Sequence, residues 1–326
     1  MKSRNIEKNG LTFTKVSNDN GLVVYFCSFG ASIYQINYNR YVLTRNVYDL
    51  EDIKRSDIYY GKTIGRISNR FKGNKFKLND KVYELEANEG ENVLHGGPHG
   101  LSNVVFDVEI VQEEGHIDVI YSHLCLESQD KIPGDLDLKV TYRVFSNRNE
   151  IDVIYKGNVN KDSVISITNH TYFTLASKSL KGVSLKIDAD RYLETDENLL
   201  PMEEKEVTPA LDFREEKEIL RDIEDESLHS DRLNGYDHYL YFTNKDLSLA
   251  KVVLSNEKIE LQIKTNFEGV QIYTSGYKCP VGLHPYSEEP FDSIAIEPSD
   301  SFKKLHLLKK EITYNRIIKY IFNVKE

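Results

Sequence analysis

Tryptophan is absent from the 326 residues, methionine occurs twice and cysteine three times. Cys27, Cys125 and Cys279 are odd in number, far apart and in no CxxC pair. That excludes a disulfide framework and a zinc cluster, and buried free thiols are the plain reading. No run approaches the roughly 18 apolar residues a spanning helix needs, and MKSRNIEKNG has early bases with no apolar segment behind them. Neither a membrane span nor a secretory signal is expected, so the chain reads as soluble and cytoplasmic. Positive charge is also short, 42 Lys and Arg against 52 Asp and Glu for a net charge of −10, which repels nucleic-acid phosphates and anionic membranes alike.

Helical patterning is scarce. Two short stretches, near Tyr48 to Arg55 and from Pro209 to about Leu228, are expected as surface helices. Period-two alternation dominates instead. In LDLKVTYRV, Leu136, Leu138, Val140, Tyr142 and Val144 share one face; in KIELQIK, Ile259, Leu261 and Ile263 do the same. The 21 tyrosines and 14 phenylalanines suit pleated surfaces. Turn signals at Asn79-Asp80, Glu114-Gly115, Asn147 to Asn149, Asn160 to Asp162 and Asn256-Glu257 each separate two strand-like runs, the rhythm of antiparallel hairpins. With no repeat, low-complexity linker or composition break, residues 1–326 are expected to form one all-β domain, a large antiparallel β-sandwich with a few short surface helices.

Five polar islands have no use in a sandwich core: GRISNRF (65–71), NVLHGG (92–97), TNHTYFTLA (168–176), GYDHYLYF (235–242), and VQIYTSG (270–276) with IAIEPS (294–299). Arg66 and Arg70, four apart with Asn69 beside the second, offer rigid forks of donors for hydroxyls or carboxylates; structural salt bridges are the plainer alternative. His95 and His99 sit in a glycine loop that lets backbone approach a ligand, but no third metal ligand stands at a recognisable spacing, so no metal is expected. The glycines match neither a phosphate loop nor a dinucleotide fingerprint. His170 is either a satisfied core histidine or an acid–base group, and Asp237 a turn cap or a ligand to hydroxyls. Glu297 stands after Ile294, Ala295 and Ile296 and before a proline expected to stop the strand. It is either an exposed strand-end charge or a desolvated carboxyl raised toward the range of a useful general base.

Taken together, GRISNRF, NVLHGG, NHTYFTL, DHYL, QIYT and IAIEP, in that order, resemble the motif series of the aldose 1-epimerase (galactose mutarotase) family. The resemblance extends to ADRYLETDENLLPMEE (189–204) and to the tail with Glu311, Tyr314, Tyr320 and Phe322. It implies the family's supersandwich and interconversion of the anomers of free aldohexoses, with no cofactor. It further implies Glu297 as base and His170 as acid, with Asn69, Arg70, His95, Thr171, Tyr172, Asp237 and Gln271 around the sugar. Ser68, Thr174 and Lys309-Lys310 depart from the family pattern, as does the segment between Gly276 and Glu297 with Cys279, Pro280, Pro285 and Pro290. Three other readings stand beside it: a non-catalytic sugar-binding sandwich, a glycosidase using Asp237 and Glu297, and a hexose-6-phosphate 1-epimerase, which would need bases beyond Arg66 and Arg70. Sugar preference and oligomeric state are not written in these motifs.

Overall fold

The alternating runs form the strands their pattern predicts. Leu136, Leu138, Val140, Tyr142 and Val144 are all fully buried on the Leu136–Phe145 strand, and Ile259, Leu261 and Ile263 on the Ile259–Thr265 strand. Each such side chain contributes roughly 1.5–3 kcal/mol by leaving water. The computed structural model describes residues 1–279, 281–284 and 289–325; Pro280 and Pro285 of the divergent segment lie outside them.

Three antiparallel sheets carry the architecture, of five, nine and eight strands. The five-stranded sheet is a meander over residues 2–42. The nine-stranded sheet centres on Leu136–Phe145, Glu150–Val159 and the long Tyr314–Val324 strand. In the eight-stranded sheet Asp237–Phe242, Gly269–Tyr273, Ile294–Ser299 and Tyr172–Phe173 lie side by side. Val24 and Phe26 of the first sheet, Val140 and Ile263 of the second, and Leu240, Ile272 and Ile296 of the third belong to one apolar core. This is an antiparallel β-sandwich, as the alternation predicts.

Four of the five turn signals close hairpins between paired strands. The Asn79-Asp80 turn takes positive φ at both residues, which asparagine and aspartate tolerate best after glycine. The fifth signal, Asn160 to Asp162, instead leads from Glu150–Val159 into Ser163–Val164, a strand paired elsewhere with Leu307–Leu308. The expected helices are reduced to 3₁₀ turns at Asp52–Lys54, Ile219–Asp222 and Glu226–Leu228, with a short strand at Lys217–Glu218. Charge-rich sequence with so little apolar periodicity has no face to bury along a longer helix. A four-residue α-helix at Glu127–Asp130, ended by Lys131 in the left-handed region, had no sequence signal. Pro298 does not stop its strand: Ile294–Ser299 runs through it, and Pro298 stands opposite Val270.

Candidate active site

Alternation aims the Ile294–Ser299 strand both ways. Ile294 and Ile296 enter the main core, while Ala295 and Glu297 face the other side. On neighbouring strands, Gln271 stands directly opposite Glu297, and Asp237 opposite Tyr273. Glu297, Gln271 and Asp237 therefore form a polar row across one face of the eight-stranded sheet, at the floor of a cleft of about 420 Å³. The amide of Gln271 accepts from Asn69 Nδ2 at 3.0 Å and donates to Asp237 Oδ1, which ties the row to the opposite wall.

That wall is built from left-handed backbone. Asn69 and His95 both have positive φ, and the short ladder of Arg70–Phe71 with Val93–Leu94 brings them together. His95 Nδ1 accepts the Asn69 N–H at 3.2 Å, so its neutral ring carries the proton on Nε2 and offers a donor. Burial, then His170 and Arg70, hold the His95 pKa well below its ordinary value. Gly96 is required here, because a Cβ would lie 2.3 Å from the Gly65 carbonyl oxygen. Arg70 gives Nε and one terminal nitrogen to Glu89 at 2.9 and 3.1 Å, and its other terminal nitrogen lies 3.9 Å from Asp237 Oδ2. Arg232 donates to the same Glu89 at 2.8 Å.

His170 follows the Thr168–Asn169 strand, and Gly61 and Lys62 take both of its backbone hydrogen bonds. Asn169 beneath it donates to the Gly61 carbonyl at 2.9 Å. His170 Nε2 lies 3.2 Å from Glu297 Oε1, and each residue is only 4 % exposed. Burial pushes the His170 imidazole down to about 3. Burial, helped by Asp237 and opposed by Arg70, pushes Glu297 well above the usual carboxylate range. Both shifts favour neutral partners, a carboxylic acid beside a neutral imidazole.

The sequence model of the aldose 1-epimerase family covers residues 13–320. The chain belongs to the aldose 1-epimerase family. It is an enzyme, an isomerase. An aldose 1-epimerase of Haemophilus influenzae is 29 % identical over 275 residues, 80 % of this chain and 78 % of that protein. The human galactose mutarotase is 31 % identical over 238 residues, 70 % of this chain and 66 % of that protein. A galactose 1-epimerase structure from Lactobacillus acidophilus superposes with a TM-score of 0.87 at 24 % identity, covering 100 % of this chain and 99 % of that one.

Within this aldose 1-epimerase family member, Asn69, Arg70, His95, His170, Tyr172, Asp237, Gln271 and Glu297 all line the cleft. Thr171 does not: it is buried, and its hydroxyl donates to Asn169 on the core side, away from the cleft. Arg66 takes the plainer of its two readings. It is buried against the carbonyls of Gly134 and Pro133 and the Ser163 hydroxyl, with Asp130 at 3.4 Å. His99 is exposed beside Glu86, and no cluster of three metal-ligating side chains occurs among the described residues. No helix among them is long and apolar enough to cross a membrane. Sequence reasoning missed Tyr59, Glu89, Arg232 and Tyr273. Glu89 lies 19 residues from the arginine it orients, and no spacing rule connects them.

Proposed function

We propose that the protein interconverts the α and β anomers of free aldohexoses of the glucose and galactose class by acid–base ring opening and reclosure. The observation that carries the reading is the His170–Glu297 contact at 3.2 Å on the floor of a cleft lined with hydroxyl-binding side chains. The Glu297 carboxylate takes the proton of the C1 hydroxyl, C1=O1 forms, and the C1–O5 bond breaks with its electron pair on O5. O5 takes a proton from the His170 imidazolium. After rotation about C1–C2, O5 attacks the other face of the carbonyl. His170 recovers its proton from O5 and Glu297 returns one to O1, so the enzyme ends as it began.

The electrostatics favour this division of labour. While the ring is open, both groups are neutral, the state that burial prefers for each. The carboxylate and imidazolium needed at the start differ from it by one proton moved across the 3.2 Å contact. In this reading Asn69, Arg70, His95, Asp237 and Gln271 hold the hydroxyls, with Tyr172 as an apolar wall, and no metal or nucleotide enters.

A free sugar fits better than a hexose 6-phosphate. The cleft carries Asp57, Asp231, Asp237 and Glu297 against Arg70 and Arg232, and both arginines are engaged by Glu89. A glycosidase would leave His170 idle. Residues 1–326 act as one domain in this reading, since all three sheets share one core. The free, buried thiols of Cys27 and Cys125 suit the cytoplasm. A maltose epimerase of Levilactobacillus brevis, 25 % identical over 268 residues, adds a reducing disaccharide to the substrates worth testing. Saturation transfer between anomeric protons, measured for glucose, galactose, maltose and glucose 6-phosphate, tests the assignment. Exchange is expected with the free sugars, and exchange confined to the phosphate would refute it.

A further inference from the structure

A buried imidazole that shuttles protons is ordinarily oriented by a hydrogen bond on its second nitrogen. His170 has none: Nδ1 is buried and has no hydrogen-bond partner among the described residues. Two tyrosine rings lie nearly parallel to it instead. Tyr59 stacks on it at 5.7 Å between centroids with 20° between planes, and Tyr172 at 5.0 Å and 19°. Tyr172 is in turn backed by Tyr60 at 4.2 Å within an apolar cluster, so its position is set by the core. Tyr59 lines the cleft and also meets His95 edge-on at 4.7 Å. It leads directly into Gly61 and Lys62, which hold the His170 backbone, so one short segment fixes both backbone and ring.

We propose that Tyr59 is a positioning residue that, together with Tyr172, clamps the His170 ring between two aromatic faces and stabilises its imidazolium form. The inference rests on the reading of His170 as the acid. The groups facing the ring are Glu297 at 3.2 Å, His95 edge-on at 5.4 Å, and the two tyrosines. His95 is itself held neutral, so the main chain of His170 itself, Glu297 at 3.2 Å and the negative π-faces are the groups that favour charge on His170. In a desolvated site such faces act strongly on a cation, and a stacked pair also fixes the plane in which the proton is delivered.

The test replaces Tyr59 with phenylalanine as reference and then with progressively fluorinated phenylalanines, which weaken the ring quadrupole with little change of shape. Fluorination is expected to lower kcat stepwise, by about 3- to 30-fold at the pentafluoro ring. KM should stay steady, and the limb of the pH–kcat profile set by the imidazolium should move to lower pH. Tyr59→Leu should lose at least as much. A flat series with an unmoved limb, while His170→Asn still loses about 10²- to 10⁴-fold in kcat, overturns the clamp and leaves the acid assignment standing. Full turnover in His170→Asn overturns the acid assignment and the clamp with it.

Discussion

Replacing Glu297 with glutamine separates proton transfer from packing, because the amide keeps the volume of the carboxyl at a site only 4 % exposed. It still presents an oxygen to His170 Nε2 where the carboxyl sits 3.2 Å away, and Gln271 opposite is untouched. A swap that conserves shape this closely opens no cavity and should leave the fold intact. The chemistry loses its base, which lowers kcat by about 10²- to 10⁴-fold, or about 3–5 kcal/mol of barrier. Stability moves the other way. The folded carboxyl has its pKa raised well above the unfolded value near 4.5, so above that pH the native state binds more protons than the unfolded chain. Wild-type stability is therefore fully present below that value and is lost as pH rises through the folded pKa. The glutamine variant escapes that loss, so at about pH 8 it should melt no lower than wild type while turning over far more slowly. Polarimetry and thermal melts at acidic and alkaline pH read both effects. Turnover within about tenfold of wild type would refute the base assignment, and a Glu297→Gln variant that melts well below wild type at alkaline pH would refute the burial argument.

His170→Asn should act on the opposite limb. His170 is held neutral down to about 3, whereas the unfolded chain protonates it near 6.5, so wild-type stability is lost as pH falls through that window. The asparagine variant should show a flatter acid side in melts, and an unchanged slope would contradict the burial of the imidazole. Glu89→Ala removes the acceptor for two Arg70 nitrogens and should raise KM by about 3- to 30-fold with a smaller effect on kcat. An unchanged KM for galactose and glucose would show that Arg70 needs no such support.

Strands were legible because their side chains report burial directly. Every inward residue of LDLKVTYRV is buried, and the turn residues Asn79 and Asp80 adopt the backbone their chemistry favours. The cleft face was partly legible for the same reason: alternation alone turns Glu297 away from Ile294 and Ile296. Pro298 misled because proline lacks only the N–H, and a strand continues where that donor is not needed. Thr171 misled by adjacency. A residue next to His170 points the other way, and only the core network around Asn169 shows where its hydroxyl goes. Glu89, Tyr59 and Arg232 were invisible because their roles are set by partners distant in sequence: Glu89 bridges to an arginine 143 residues on, and Tyr59 packs on His170, in a distant part of the chain.

The most direct measurement is polarimetry of freshly dissolved α-glucose and α-galactose with EDTA-treated protein, comparing wild type with Glu297→Gln, His170→Asn and the double variant. The wild-type protein should speed the decay of optical rotation, and each single variant should lose about 10²- to 10⁴-fold in kcat. The double variant should lose less than the product of the two, because the pair acts as one unit across its 3.2 Å contact. A wild-type decay no faster than buffer, or a double variant that turns over like wild type, would contradict the account.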